Sequence, residues 1–137
     1  MNYGSKDMDN ISISLSEGGG DSVSEVRVDG VIDTITAGEL ESVIDSLLKR
    51  KRYHILIDLA GVDYISSAGW GIFISHIKDV RDNKGDIKLA NMIPNVHEIY
   101  ELLEFDKVLR AYNSSDDARH DFGNGTISTQ TKKKAPE

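Results

Sequence analysis

His54 to Leu59 reads HILIDL, a short and nearly continuous apolar run. A strand covered on both faces loses the alternation of a half-exposed one, so this run predicts a central strand with helices on either side. Shortly after it, residues 64–71 read YISSAGWG, with Ser66 and Ser67 standing directly before a glycine-flanked apolar segment. From Ala68 to about Asn83, the residues Ile72, Phe73, Ile77 and Val80 recur at helical spacing, and Gly85 is placed to stop the helix. The two serines therefore stand where a strand ends and a helix begins.

The same reasoning extends in both directions. Ile11, Ile13 and Leu15 alternate with serines as in a half-buried strand, and Glu17-Gly18-Gly19-Gly20-Asp21 supplies turn residues. Val23 to Ile32 reads as the returning strand of an antiparallel hairpin. Thr34 and Thr36 offer hydroxyls to cap a helix, with Glu39 three residues beyond Thr36 in capping-box spacing. That helix carries Leu40, Val43, Ile44, Leu47 and Leu48 and runs to about Arg50, where Lys49-Arg50-Lys51-Arg52 offsets the negative end of its dipole.

Beyond Gly85, Ile87, Leu89 and Ala90 predict a strand. Pro94 opens a third helix with Val96, Ile99, Tyr100 and Leu103 as its buried stripe, and Val108 to Tyr112 predicts a last strand. Ser114-Ser115-Asp116-Asp117 caps a short terminal helix. The resulting order, β-β-α-β-α-β-α-β with a final helix, predicts an α/β fold in which helices pack against one mixed sheet. Residues 1–10 read as a flexible arm, 11–122 as one folded domain, and 123–137, with Lys132-Lys133-Lys134, as a solvated tail.

Composition narrows the function. The 137 residues are 39% apolar and 28% charged, the balance of a folded domain. Cysteine is absent, which removes disulfides and thiolate metal sites and suits a reducing cytoplasm. The opening MNYGSKDMDN lacks the features of a secretory signal, and no stretch approaches the ~18 apolar residues of a membrane span. A net charge of −7 disfavours nucleic acid and points to a protein surface as partner.

At the junction, one serine suffices to cap the helix, for about 1 kcal/mol. The other is then free to point outward, where Ala68-Gly69 keeps the surface low. A phosphate there would meet the positive end of the helix dipole. Nucleophilic catalysis lacks support, because no Gly-x-Ser-x-Gly elbow is present and His54, His76, His97 and His120 have no spacing that binds them to Ser67. His76 shares the stripe of Ile72, Phe73 and Val80 and reads as a packed, hydrogen-bonded residue. The histidines form no His-x-x-x-His pair, and Asp79, Asp82 and Asp86 read as solvated acids around a helix end. Neither a metal nor any other cofactor is expected.

Three separated segments carry a family resemblance. VDGVIDTITAGELESVI resembles the Gly-x-Leu-Asp-x-x-Thr-Ala segment of the STAS family, and ILIDLAGVDYISSAGWGIF resembles its Asp-Leu-x-x-Val-x-x-x-Asp-Ser-Ser/Thr-Gly-Leu-Gly signature. GDIKLANMIPNVHEIYELLEFDKVLRAY is similar to the family's strand-helix-strand ending. The match covers roughly residues 10 to 120.

The resemblance implies about four helices against a mixed sheet of about five strands. It also implies an anti-sigma factor antagonist, a non-enzymatic regulator whose partner is an anti-sigma factor with serine kinase activity. Phosphorylation of one serine ends the complex, and a phosphatase resets it. Placing the motif glycines on Gly69 and Gly71 assigns the acceptor to Ser67, with Ser66 as second choice. Ser66 occupies the family's Asp position and Ala68 its second hydroxyl position. Asp33 and Asp58 match acidic residues of the family, Asp58 having loop ordering as its alternative role. The expected partner surface is Asp33, Thr34, Asp58, Ile65, Ser66, Ser67, Ala68, Gly69 and Trp70, with Ile65 and Trp70 as apolar anchors. Core packing is the competing role of Trp70. The rival reading is an unphosphorylated STAS subunit of a transporter or signalling scaffold, which the residues at 66 and 68 favour.

Overall fold

A computed structural model describes residues 11–17 and 22–123. The predicted arm, the turn glycines 18–20 with Asp21, and the tail beyond 123 lie outside the described residues. The chain runs β1 (Ile11–Ser16), β2 (Val23–Ile32), α1 (Ala37–Lys49), β3 (His54–Ile65), α2 (Ser67–Asp82), β4 (Asp86–Ala90), α3 (Pro94–Leu102), β5 (Arg110–Tyr112) and α4 (Ser115–Gly123). The five strands form one sheet in sequence order, antiparallel between β1 and β2 and parallel from β2 to β5. This is the predicted mixed sheet with four helices.

Helices α1 and α2 crown one face. Leu40, Ile44 and Leu47 of α1 and Phe73, Ile77 and Val80 of α2 are buried against Val26, Val28, Ile55, Ile57, Ile87 and Leu89. Each such side chain contributes roughly 1.5–3 kcal/mol through burial. On the opposite face Ala118 of α4 packs on Val23, Leu56 and Ala90, flanked by Tyr112 and Phe122. Both faces of β3 are thus covered, as HILIDL requires. Under α4 the buried Lys88 ammonium donates to Asp121 at 3.3 Å and to Tyr112 at 3.2 Å, and Tyr112 donates to Asp121.

Strand β3 is longer than its apolar run suggests. Between Arg27↔Asp58 and Asp29↔Gly61, and again between Gly30↔Val62 and Val31↔Tyr64, β3 carries one more residue than β2. Each bulge shifts the alternation by one, so Leu59, Val62 and Ile65, three residues apart, all enter the same core. A search for period two loses the strand at Leu59.

Local chemistry departs from expectation at four places. The pair that closes the start of α1 is Asp33 and Thr36 instead of Thr36 and Glu39. Asp33 Oδ1 accepts the Thr36 N–H at 3.0 Å, while Thr36 Oγ1 accepts the Asp33 N–H at 2.9 Å and donates to the Val31 carbonyl at 2.7 Å. This is a reciprocal capping box set three residues earlier. At the end of α2 the left-handed residue is Lys84, with φ 67°. Gly85 serves a close approach instead, since a Cβ there would fall 2.0 Å from the Tyr53 carbonyl oxygen.

In α3, Val96 and Tyr100 are buried but Ile99 and Leu103 are exposed, so the stripe is narrower than predicted. A 3-10 turn at Phe105–Lys107 takes the chain off that helix and delays β5 to Arg110. At the other end of the domain, the predicted cap of α4 forms, with Ser114 Oγ accepting the Asp117 N–H at 3.0 Å.

Candidate functional site

Strands β2 and β3 end side by side, with Ile32 paired to Ile65, and each feeds a helix. The two turns are joined by the Ser66 N–H, which donates to the Ile32 carbonyl at 2.8 Å. The C-terminal edge of the sheet, where these two strands end, therefore brings Asp33 and Thr34 close to Ser66 and Ser67.

Ser66 is the N-cap. Its backbone is extended (φ −79°, ψ 173°), its Oγ accepts the Gly69 N–H at 3.3 Å and its carbonyl accepts the Trp70 N–H at 3.0 Å. Ser67 is the first residue of the helix and is exposed, and its hydroxyl makes no hydrogen bond to a described residue. The division of labour read from the serine pair is therefore present: one hydroxyl serves the helix and the other faces water. The first four N–H groups of a helix lack partners within it, which makes Ser67 a favourable place for an anion.

Gly69 lets the helix start lie this low. A Cβ at that position would meet Ile32 Cγ2 at 2.6 Å and Ile65 Cγ2 at 2.8 Å, whereas one at Gly71 would meet nothing within 4 Å. Gly69 thus fixes the approach of α2 to the sheet, while Gly71 leaves its surface bare.

Several residues expected on a partner surface are not available there. Trp70 is 1% exposed and stacks on Phe105 at 4.9 Å between ring centroids, and Ile65 is likewise buried in the core. Neither is an apolar anchor. The helical phase explains Trp70, which lies three residues before the buried Phe73, on the inward side. Gly69 is also buried. Asp58 is 7% exposed and fully engaged within the domain. Its Oδ1 accepts the Ala60 N–H and the Asn91 Nδ2 at 3.0 Å each, and Oδ2 lies 3.7 Å from Arg27. Its place is the loop-ordering one, beside the first bulge of β3.

In their stead the edge exposes two apolar side chains that sequence reasoning passed over, Ile35 at 79% and Tyr64 at 56%. The signal for Ile35 was available, because it falls off the α1 stripe of Ala37, Leu40, Ile44 and Leu47. Tyr64 was hidden by the second bulge, which turns it outward.

Asp33 carries the edge's fixed charge. Hydrogen bonds from the backbone of Thr36 and Ile35 hold its carboxyl below the usual aspartate range. The histidines lie elsewhere: His54 stacks on Phe122, His76 bonds to α1, and His97 lies against Glu101 and Tyr100. His120 belongs to α4. Among the described residues, none of these histidines hydrogen-bonds Ser67. Among the described residues no helix is long and apolar enough to cross a membrane.

Known proteins share this architecture. BtrV of Bordetella bronchiseptica is 29% identical over 93 residues, 68% of this chain and 80% of its own. The anti-sigma-B factor antagonist of Listeria monocytogenes is 25% identical over 104 residues, 76% and 90% of the two chains. The crystal structure of an anti-sigma factor antagonist from Mycobacterium paratuberculosis superposes with a TM-score of 0.74 at 26% identity, covering 82% of this chain and 94% of that one. The family model of the STAS domain matches residues 19–118. With the motif residues in place and the family model spanning residues 19–118, the chain belongs to the STAS domain family.

Proposed function

We propose that this chain is an anti-sigma factor antagonist: it binds an anti-sigma factor with serine kinase activity, and phosphorylation of Ser67 ends the complex. The observation that carries this reading is the exposed hydroxyl of Ser67 at the first position of α2, without a hydrogen bond to any described residue, next to a serine that already caps the helix. Relatives named as anti-sigma factor antagonists support the partner class. A phosphatase completes the cycle, and the kinase brings the nucleotide and magnesium for the transfer.

The contact surface is the edge formed by Asp33, Thr34, Ile35, Tyr64, Ser66, Ser67 and Ala68. Ile35 and Tyr64 replace the buried Ile65 and Trp70 as apolar contacts. Magnitudes indicate how the switch acts. A phosphate at a helix start gains about 0.3–1 kcal/mol from the dipole, at most ~2, whereas inverting a population from 1:99 to 99:1 takes ~5.5 kcal/mol. Stabilising the free domain falls short of that. The phosphate acts instead inside the interface, through bulk, desolvation and repulsion, with the Asp33 carboxylate on the neighbouring turn adding like charge.

Calorimetric titration with the purified cognate anti-sigma factor tests the reading. Ser67→Glu weakens the complex at least about tenfold, equivalent to 1.4 kcal/mol, while leaving the fold intact. Equal affinity of the two proteins would remove the interface mechanism. Ser66 and Ala68, where the family motif has an acid and a second hydroxyl, favour one other reading, a scaffold or transporter subunit that is never phosphorylated. Co-purification with a partner that has no kinase domain would support it.

A further inference from the structure

A second polar cluster lies away from the Ser67 edge, where α1 and α2 cross. Glu41 and Asp45, one turn apart on α1, face His76 of α2, and their ligand atoms all lie within 4.8 Å of one another. His76 Nε2 is 3.0 Å from Asp45 Oδ1 and 3.8 Å from Glu41 Oε2. We propose that Glu41, Asp45 and His76 form a binding site for a divalent transition-metal ion of the zinc type.

The hydrogen bonding of the imidazole carries the argument. His76 Nδ1 lies 2.8 Å from the Ile72 carbonyl oxygen, which can only accept, so Nδ1 holds the proton. With Nδ1 so engaged, Nε2 is the ring atom turned to the two carboxylates, and three atoms of metal-ligand type converge on one space. That space suits a cation. A second proton on the ring would serve the Asp45 oxygen at 3.0 Å and leave the Glu41 oxygen, 3.8 Å away, without a bond. A metal ion serves all three. With bonds of about 2.0–2.1 Å, the edge of a zinc tetrahedron is about 3.4 Å, and the two observed separations fall on either side of it.

Three further features suit a metal. A ligating histidine characteristically donates its other N–H to a backbone carbonyl, as Nδ1 does to Ile72. Imidazole with carboxylates is a donor set accepted by zinc, and the fourth position stays open to water. Two acids spaced i, i+4 on one helix repel each other unless a cation lies between them. The ligands are 31 residues apart in sequence on different helices, which hides the site from any spacing motif and explains why the sequence alone points to no metal. His76 lies nine residues along α2 from Ser67, about 14 Å at 1.5 Å per residue. The ion therefore clasps the helix that presents Ser67 without reaching the acceptor hydroxyl.

Zinc chloride titrated into the full untagged chain tests this, read by calorimetry and by long-range proton–nitrogen spectra of the histidine rings. The expected result is saturable binding of one equivalent, with His76 Nδ1 protonated and Nε2 shifted to the metal-bound position. The single variants Glu41→Gln and Asp45→Asn, both at solvent-facing positions that preserve the fold, each weaken binding by about tenfold or more. Absence of one-equivalent binding, unchanged affinity in both variants, or a His76 ring that keeps both protons at saturating zinc would each overturn the proposal.

Discussion

The Ser66 N–H donates to the Ile32 carbonyl at 2.8 Å, fastening the turn that presents Ser67 to the last residue of β2. Because Asp33 follows Ile32 directly, this bond sets the turns after β2 and β3 at one spacing. The edge is part of the folded sheet, and substitutions in it separate cleanly into those that alter the scaffold and those that alter recognition.

The two motif glycines separate the most clearly. Gly69→Ala drives a methyl to 2.6 Å from Ile32 and 2.8 Å from Ile65, contacts that force the helix start off the sheet. A loss of about 1–3 kcal/mol is expected in urea unfolding. Gly71→Ala meets open space inside a helix and gains about 0.5–1 kcal/mol. Equal effects of the two substitutions would contradict the account of Gly69.

Ser66 and Ser67 respond differently to loss of the hydroxyl. Ser66→Ala removes the cap on the Gly69 N–H, and the long 3.3 Å bond places the cost near the lower end of the usual range, about 0.5–1 kcal/mol. Ser67→Ala leaves stability within about 0.5 kcal/mol. Chemical denaturation of both variants checks the assignment, and a larger loss at Ser67 reverses it.

Asp33 gives the edge a pH dependence. Its folded carboxyl titrates below the ordinary 3.8 because the Thr36 and Ile35 N–H groups bond the charged form. The unfolded chain therefore binds this proton more readily, so the contribution is complete above pH 3.8 and disappears as pH falls through the lower folded value. Asp33→Asn keeps an acceptor oxygen and removes the charge. The difference in urea midpoint between wild type and Asp33→Asn is expected to stay constant above about pH 5 and to close below pH 3.8.

Trp70 is buried and Ile35 is exposed, so their substitutions act on different quantities. Trp70→Ala opens the core around Phe73, Tyr100 and Phe105 and costs about 3–5 kcal/mol of stability. Ile35→Ala changes stability by no more than about 0.5 kcal/mol and weakens partner binding by more than about 1 kcal/mol. Thermal unfolding and titration with the anti-sigma factor read the two quantities separately.

Much of this was legible in the chain. The run HILIDL announced a strand buried on both faces, and the apolar periods of α1 and α2 located both helices. The serine pair announced one cap and one free hydroxyl. What escaped has physical causes. The bulges in β3 break period two and hid both the second half of that strand and the outward turn of Tyr64. Helical phase decides that Trp70 points inward, and a motif match does not convey phase. Asp58 looks like part of the site in sequence, but its carboxylate is spent on Ala60 and Asn91. The Glu41–Asp45–His76 cluster needs two helices to meet before it exists.

The central claim is that the Ser67 hydroxyl is the switch. Site mapping by mass spectrometry after incubation with the cognate kinase and ATP tests it most directly. The account predicts a single phosphate on Ser67, absent from Ser67→Ala and retained in Ser66→Ala. A phosphate that persists in Ser67→Ala, or its complete absence from the wild-type chain, would contradict it.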